Sequence, residues 1–390
     1  MTQFLGLSPV QLKDRGAEAT AREIGQQPAV WRETAQIVAG ARAELDAFLT
    51  PLLERDNLRI VLTGAGTSAF AGDILAPSLA RRLGRRVEAV ATTDIVSNPH
   101  DFFAEDVPTL LVSFARSGNS PESVAATEIA DQLLAESYHL VLTCAPEGKL
   151  YLRHAGAENS FALLMPAAAN DQGFAMTSSV TSMVLSAWLV LGAAGSTELG
   201  KQLAAAAEGI LASRQDAILD LAKGGFERIV YLGSGPLRGL AQESALKLLE
   251  LTAGTVVTYF DSSLGFRHGP KAVLDPTTLV VLYISSDAGT RAYDLDILAE
   301  LRQSLPAGNV LAITATPEVA AELDGVWLVD GLDGVEDAAL ALPYVLIAQL
   351  FALSYSLELG KTPDNPFPDA SVNRVVQGVT IHPLAAAAQL

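Results

Sequence analysis

The chain has 390 residues, 49% apolar and 18% charged, which is enough apolar material for the cores of about two ordinary domains. Acidic residues outnumber basic residues by 44 to 26, and the net charge of −18 argues against binding to nucleic acid or to an anionic membrane. An anionic ligand would therefore need a local site of backbone N–H groups, hydroxyls or a few cations. The single cysteine, Cys144, excludes a disulfide within the chain and a metal cluster held by several thiolates.

The N-terminal segment and the apolar stretches indicate where in the cell the protein is expected. The N-terminal segment Met1–Phe4 lacks a basic stretch followed by an apolar one, so we see no secretory signal. The longest apolar stretch is taken to be residues 180–194; Ser182 and Ser186 interrupt it, and it is too short to span a bilayer. We therefore expect a cytoplasmic protein without membrane contact.

A duplication organises the chain. Two apolar strands, Ile60–Thr63 and Ile229–Leu232, each lead into a glycine turn, and they are 169 positions apart. The next apolar strands, Thr109–Phe114 and Thr278–Tyr283, have the same offset of 169 positions. Two strand pairs at one offset and in one order indicate a repeated structural unit.

The alternation of apolar strands with helical segments predicts the fold class. Such a pattern is typical of parallel sheets covered by helices on both faces, so we expect an α/β protein with two tandem doubly wound domains. The expected bounds are a helical N-terminal extension at 1–50, a first domain at 51–215, a second domain at 216–360 and a wrapping tail at 361–390. Ligands bind such sheets at the carboxyl ends of the strands.

The loop after the strand at Thr109–Phe114 has the composition of an anion site. It opens a helix, with Ser120 placed as N-cap and Pro121 in the first helical position. Free N–H groups, the positive helix end and several hydroxyls suit a phosphate, although a well-capped turn has the same composition. The candidate binding residues of this loop are Arg116, Ser117, Gly118, Asn119 and Ser120.

The neighbouring glycine turn adds a second hydroxyl-rich helix start. Gly66, Thr67 and Ser68 follow the first strand directly, and two such starts at adjacent strand ends favour anion binding. The corresponding loop of the second unit carries Asp287 where the first has Gly118, and an acid would repel phosphate. We therefore expect one working phosphate cradle in each chain.

The helix after the second glycine turn carries the candidate catalytic groups. Glu243, Lys247 and Glu250 lie at i, i+4 and i+7, which places them on one helical face. On spacing alone, a solvated stripe with an ion pair is the more usual outcome, whereas a carboxylate base with an adjacent ammonium requires a cleft. His268 lies in a polar loop beside Arg267 and has the properties of an acid or base near neutral pH, unless it is an ordinary exposed histidine.

The sequence contains no cluster of histidine, cysteine and carboxylate residues with the spacing of metal ligands. We therefore expect no metal and no cofactor.

Taken together, these motifs resemble the sugar isomerase (SIS) domain family. Gly66–Ser68 is similar to its Gly-x-Ser signature, and Ser117–Ser120 to its Ser-Gly-x-Ser/Thr phosphate loop. Ala245–Glu250 and Arg267–Pro270 are similar to the Lys/Glu helix and the Lys-His-Gly-Pro loop in the isomerase half of glucosamine-6-phosphate synthase. The segments at 22–28, 114–123 and 374–380 look like the AgaS group of galactosamine-6-phosphate deaminases or tagatose-6-phosphate ketose/aldose isomerases.

The resemblance implies flavodoxin-like SIS domains and a reaction on a sugar 6-phosphate. It implies that Glu250 moves a proton between C2 and C1, that Lys247 positions Glu250 and that His268 assists ring opening. It further implies a homodimer in which the histidine loop completes the partner's site. The expected outcome is conversion of galactosamine or glucosamine 6-phosphate to a ketose 6-phosphate and ammonia.

Other functions compatible with the motifs are tagatose-6-phosphate isomerisation without deamination, cleavage of a sugar–amine 6-phosphate adduct, and sugar-phosphate binding without chemistry. The sequence contains no glutaminase domain, which disfavours amino-sugar synthesis from glutamine. Gln377, a further candidate substrate-binding residue, stands where the synthase has a lysine, and a glutamine cannot form a Schiff base with a ketose. The sequence therefore leaves open how the C2 nitrogen is handled.

Overall fold

Two parallel β-sheets form the framework of the computed structural model, which describes residues 3–192, 197–376 and 378–384. Each sheet has five strands within the described residues. The strands of the first sheet are β1 (Arg59–Thr63), β2 (Val87–Ala89), β3 (Thr109–Ala115), β4 (Ser137–Thr143) and β5 (Ser160–Leu164). The strands of the second sheet are β6 (Arg228–Leu232), β7 (Val257–Asp261), β8 (Thr278–Tyr283), β9 (Val310–Thr314) and β10 (Val326–Leu328).

Helices precede, cover and connect the two sheets. Those of the first part of the chain are α1 (Pro9–Asp14), α2 (Glu18–Gly25), α3 (Gln27–Gly40), α4 (Arg42–Leu53), α5 (Thr67–Leu83), α6 (Thr92–Ser97), α7 (Pro99–Phe102), α8 (Pro121–Leu133), α9 (Lys149–His154) and α10 (Ser178–Ala187). Those of the second part are α11 (Thr197–Ser213), α12 (Gln215–Ala222), α13 (Pro236–Leu251), α14 (Ala288–Ser304), α15 (Pro317–Glu322) and α16 (Asp337–Glu358). Short 3₁₀ turns cover Ala167–Ala169, Gly265–Arg267 and Pro270–Val273, and a π-helical turn covers Trp188–Gly192.

The two sheets share one strand order. The first runs β2-β1-β3-β4-β5 and the second, read from its other edge, β7-β6-β8-β9-β10, with every pairing parallel. These two doubly wound sheets confirm the predicted α/β class. The strand order reverses between β1 and β3 in the first sheet and between β6 and β8 in the second. Such a reversal opens a crevice at the carboxyl ends of the strands, where ligands bind.

The duplicated glycine turns have the same backbone conformation. Gly66 has φ 56° and ψ −129°, and Gly235 has φ 57° and ψ −126°. These angles lie in a region that residues with a Cβ rarely adopt. Gly64 allows the turn to close, because a Cβ there would lie 2.6 Å from backbone atoms of Ser68. The duplication thus extends from strand order to the dihedral angles of the turns that open α5 and α13.

Helix α16 is the apolar element that the sequence analysis overlooked. Within the described residues it is the one helix long and apolar enough to cross a membrane, but its most apolar window is entirely buried in the protein. The identification of residues 180–194 as the longest apolar stretch was therefore wrong. Tyr344, Leu346 and Leu350 of α16 lie in the largest hydrophobic core, which joins the two halves of the chain. Burial inside the protein accounts for the apolar composition of α16 without a membrane.

Helices α5 and α13 cross closely between the two sheets. A Cβ at Gly239 would lie 2.6 Å from the backbone nitrogen of Ile74, so glycine permits the approach. Farther along, Lys247 of α13 contacts Thr67 at the start of α5, which shows that the two helices run in opposite directions. Each helix therefore reaches from its own sheet to the carboxyl edge of the other sheet.

A buried histidine pair lies near the start of β4, away from the carboxyl edge of the first sheet. The rings of His139 and His154 are 4.5 Å apart, His139 Nε2 lies 2.8 Å from Asp131 Oδ1, and His154 Nδ1 lies 2.9 Å from Ser160 Oγ. Burial, followed by the proximity of His139 and Arg153, lowers the pKa of His154 from 6.5 to about 4. The folded chain therefore holds His154 neutral at pH values where the unfolded chain protonates it.

This difference predicts a loss of stability in mild acid. Because the pKa of His154 is lower in the folded state, its contribution to stability is complete above about pH 6.5 and is lost as the pH falls towards 4. Between pH 7 and pH 5 we expect the free energy of unfolding to fall by about 2 kcal/mol more in the wild type than in His154→Gln. Urea unfolding at both pH values measures this difference. Equal losses in the two proteins would contradict the assignment.

Candidate active site

The predicted phosphate loop lies at the carboxyl end of β3. Gly118 has a positive φ of 62°, and Ser120 takes the N-cap position of α8 with extended angles. The Ser120 hydroxyl does not cap the helix through a backbone N–H, because it lies 2.6 Å from Ser123 Oγ. Pro121 has no N–H, and the Ser123 and Val124 N–H groups donate to the Ser120 carbonyl. The Glu122 N–H is therefore the one in this turn left available to an anion, with two hydroxyls beside it.

Contacts with α9 hold the shape of this loop. The Leu150 N–H donates to the Gly118 carbonyl at 3.0 Å, and the Lys149 N–H donates to Asn119 Oδ1 at 3.1 Å. Gly148 comes so close that a Cβ there would lie 2.4 Å from the Ser117 carbonyl oxygen. Gly118 and Asn119 thus stabilise the shape of the loop, and the Asn119 amide oxygen is occupied by the Lys149 N–H.

The first glycine turn places two hydroxyls at the neighbouring strand end. Thr67 and Ser68 are buried, whereas Gly66 is exposed at the bend. Thr67 Oγ1 accepts a hydrogen bond of 2.9 Å from Lys247 Nζ. Ser68 Oγ lies 3.9 Å from Met176 Sδ. The turn therefore connects the phosphate loop region with the helix that carries the candidate catalytic groups.

The ammonium group of Lys247 is completely buried between the two halves of the chain. Besides Thr67, it contacts Glu250 Oε2 at 2.5 Å and Glu243 Oε1 at 3.5 Å. Burial acts to lower the pKa of Lys247, but the charges of Glu243 and Glu250 outweigh it and raise the pKa above its ordinary value. The group on α13 is therefore a buried ion cluster, and the solvated stripe that spacing alone favoured is excluded.

Two carboxylates with different environments flank this ammonium. The Glu250 side chain is 24% exposed and can meet a ligand, whereas that of Glu243 is 1% exposed and makes no well-formed hydrogen bond to a described residue. Burial raises the pKa of Glu243 to about 7, against the opposing effect of Lys247. Sequence analysis identified the spacing of Glu243 but did not include it among the site residues, because spacing carries no information about burial.

Arg116 lies behind the phosphate loop and anchors two other segments. Its side chain is 93% buried, and it donates to the carbonyls of Phe174 at 3.2 Å and Arg374 at 2.9 Å. Arg374 in turn donates to the Asp171 carbonyl at 2.6 Å. Within the described part of the chain, neither guanidinium has a carboxylate at ion-pair distance. This pair of cations gives the site local positive charge in an acidic protein.

One predicted residue, His268, is not brought to this cluster. His268 is exposed at the end of the turn Gly265–Arg267 and, among the described residues, makes no hydrogen bond or ion pair with Lys247 or Glu250. Gln377 lies outside the described residues. Lys247 thus contacts both Thr67 and Glu250 within one chain, with the Ser117–Ser120 loop at the neighbouring strand end, whereas His268 is not part of the cluster.

Comparisons with known proteins identify the family. A family model for the SIS domain matches residues 52–193. An AgaS protein of Streptomyces coelicolor is 57% identical over 389 residues, covering 98% of this chain and all of its own. The D-galactosamine-6-phosphate deaminase AgaS of Escherichia coli is 48% identical, covering 93% of this chain and 95% of its own.

Solved structures agree with this relationship. The tagatose-6-phosphate ketose/aldose isomerase of Escherichia coli superimposes with a TM-score of 0.87 at 46% identity, over 94% of this chain and 97% of that one. The C-terminal domain of glucosamine-fructose-6-phosphate aminotransferase from Francisella tularensis shares the fold alone, with a TM-score of 0.72 at 19% identity over 89% and 98% of the two chains. The sequence resemblance is confirmed, and the chain belongs to the AgaS group of the SIS domain family.

Proposed function

We propose that this enzyme converts an amino-sugar 6-phosphate, most simply galactosamine 6-phosphate, to a ketose 6-phosphate and ammonia. The observation that carries the proposal is the position of Lys247, whose ammonium contacts both Thr67 of the phosphate-binding side and the exposed carboxylate Glu250. A phosphate held by the strand-end loops would thus place the sugar carbons beside a carboxylate base. The family relationship to deaminases and ketose/aldose isomerases supports the same chemistry.

Neutral donor groups would hold the phosphate, and the charge of two arginines would balance it. Thr67, Ser68, Ser117 and Ser120 supply hydroxyls, and the first turn of α8 supplies the Glu122 N–H. Arg116 and Arg374 lack carboxylate partners in the described chain, so their charge is available to balance a dianion. Such a site binds phosphate without reversing the acidic character of the protein as a whole.

Glu250 would carry the proton in the chemical step. It removes the proton from C2 of the open-chain amino aldose, the electrons move into an enolamine, and the proton is returned to C1. The product is an imine at C2, which water hydrolyses to the ketose and ammonia. Lys247 holds the Glu250 carboxylate in place and balances its charge. No covalent bond between Gln377 and the sugar is required.

His268 would assist ring opening in the site of a partner subunit. It is exposed and lies on the segment that follows the edge strand β7. Around this edge the chain exposes several large apolar side chains, namely Leu249, Val257, Tyr259 and Leu264. An unpaired strand edge with exposed apolar residues favours association with a second copy. A homodimer through this face would cover the apolar residues and bring each histidine loop to a partner.

A second candidate function is ketose/aldose isomerisation of tagatose 6-phosphate, the activity named for the related Escherichia coli structure. Both reactions use the same transfer between C1 and C2, so one assay separates them. Ammonia release from galactosamine 6-phosphate and glucosamine 6-phosphate is measured beside conversion of tagatose 6-phosphate. Ammonia from an amino sugar supports the deaminase, and ketose–aldose conversion without ammonia supports the isomerase. Release of an amino acid from a sugar–amine adduct would instead indicate a deglycase.

Loss of the Glu250 carboxylate should abolish most turnover. We expect Glu250→Gln to lower kcat by roughly 10²–10⁴-fold, because an amide cannot accept the C2 proton. The matched control is Glu105→Gln, at an exposed loop position far from Lys247 in the sequence. Steady-state kinetics of both variants provide the measurement. A Glu250→Gln enzyme within a few-fold of the wild type would refute the assignment.

Removal of the buried ammonium should reduce stability as well as activity. Lys247→Met leaves Glu243 in the core without its cation, which should lower the free energy of unfolding by about 3–5 kcal/mol. Adding Glu243→Gln should recover part of that loss. The control is Lys223→Met, because Lys223 forms an exposed pair with Asp220 at 3.1 Å and should contribute less than about 1 kcal/mol. Urea unfolding of the wild type and the three variants tests the argument, and equal losses in Lys247→Met and Lys223→Met would contradict it.

Mixed dimers test whether His268 acts across a subunit interface. Glu250→Gln and His268→Asn chains should each be nearly inactive alone. Co-expressed with different affinity tags and purified as mixed dimers, they should regain activity, because one of the two sites then has both native residues. Two His268→Asn chains with different tags provide the control. Failure of the mixed dimer to exceed the separate variants would show that His268 does not complete a partner's site.

A further inference from the structure

The offset of 169 positions relates not only the two sheets but also the helix positions that face the carboxyl edge of each sheet. Because α5 and α13 run in opposite directions, each presents its side chains to the carboxyl edge of the other sheet. Lys247 and Glu250 of α13 face the first sheet in this way. The residues 169 positions earlier are Ser78 and Arg81 of α5, which face the second sheet. The second pocket therefore stands in the place of a second active site.

This second pocket is a cavity of about 280 Å³, large enough for a sugar. Its walls come from four places, namely α5, the turn after β6, the loop after β8 and the start of α16. In the second unit β8 ends one repeat position earlier than β3, and the loop after it is one residue shorter, so Asp287 takes the N-cap position of α14, as Ser120 does for α8. Asp287 is thus the counterpart of Ser120 in structure, and the alignment with Gly118 expected from the sequence was wrong.

Carboxylates occupy the positions where the first site would hold an anion. The Asp287 carboxylate accepts from the Thr290 N–H at 2.9 Å, and Asp337 accepts from the Ser286 N–H at 2.8 Å. Neither acid has a lysine or arginine at ion-pair distance in the ranges that the structure covers. Arg81 is already paired with Glu336 at 3.2 Å. The cavity therefore repels phosphate and attracts a cation.

Polar groups in the walls are arranged to accept hydrogen bonds. Ser234 Oγ donates to Asp294 and Ser286 Oγ donates to Asp337, so both hydroxyl oxygens remain free as acceptors. Ser78, the counterpart of Lys247, is 3% exposed, and its hydroxyl makes no hydrogen bond to any residue that the structure describes. Ser78 lines the cavity, so its hydroxyl is open to a ligand that supplies a partner.

We propose that this pocket binds a protonated amino sugar that carries no phosphate. The ammonium group would meet Asp287 and Asp337, and the sugar hydroxyls would meet Ser78 and Ser234. No reaction follows there, because Ser78 and Arg81 replace the lysine and the carboxylate base. The inference goes beyond the proposed reaction and does not depend on it.

Binding of galactosamine at pH 7, followed by calorimetry and by thermal unfolding, tests the proposal on the wild-type protein. We expect galactosamine to bind at this pocket. Galactose, which lacks the amine, and galactosamine 6-phosphate, which carries a phosphate, should not bind there. Asp287→Asn should weaken galactosamine binding by roughly tenfold or more through loss of a charged hydrogen bond. Asparagine is as good an N-cap as aspartate, so α14 should remain intact. Asp333→Asn, at an exposed loop position, is the control.

Further variants separate this pocket from the active site. Glu250→Gln should leave galactosamine binding unchanged while it abolishes turnover, whatever the substrate of the active site proves to be. Binding lost in Glu250→Gln but kept in Asp287→Asn would place the amine in the active site and overturn the proposal. Equal stabilisation by ammonium chloride would show a site for a simple cation and overturn the sugar assignment. Absence of galactosamine binding would overturn it entirely.

Discussion

The buried ammonium of Lys247 is the interaction on which the site depends. It lies in the core between α5 and α13, where an unpaired charge would cost several kcal/mol. Thr67 from the first half, and Glu243 and Glu250 from the second, satisfy it together. Because these partners come from both halves, the charge is tolerated only while the two helices stay packed. The candidate active site is therefore assembled only when the two halves of the chain are packed together.

The duplicated fold supplies two equivalent crevices, but their chemistry has diverged. The strand order and the angles of the glycine turns are the same in both halves, because closing a strand into a helix at a sheet edge imposes the same backbone constraint. Side chains that face the crevices have no such constraint. Lys247 and Glu250 correspond to Ser78 and Arg81, and the N-cap Ser120 corresponds to Asp287. A repeated backbone thus supports one reactive cluster and one acidic pocket.

Features governed by neighbouring residues could be predicted from the sequence, and features governed by distant residues could not. The strands, the glycine turns and the helix beginning at Pro121 follow from local composition. The role of Arg116 does not, because its hydrogen-bond partners, Phe174 and Arg374, are 58 and 258 positions away. The burial of Lys247 likewise requires Thr67, 180 positions earlier. Spacing on α13 indicated a shared face but gave no information about what that face would meet.

The net negative charge of the chain is compatible with a local phosphate site. The proposed phosphate cradle, with its hydroxyls, one helix N–H group and two guanidiniums that lack a carboxylate partner in the described chain, would attract its ligand over short distances only, since screening in physiological salt limits longer-range effects to about 8 Å. The net charge of −18 therefore does not prevent binding at that one place. At the second crevice negative charge disfavours anions, because a phosphate ester approaching it would meet the carboxylates of Asp287 and Asp337. On this proposal, negative charge in the second crevice would keep the duplicated fold from binding the same anion twice.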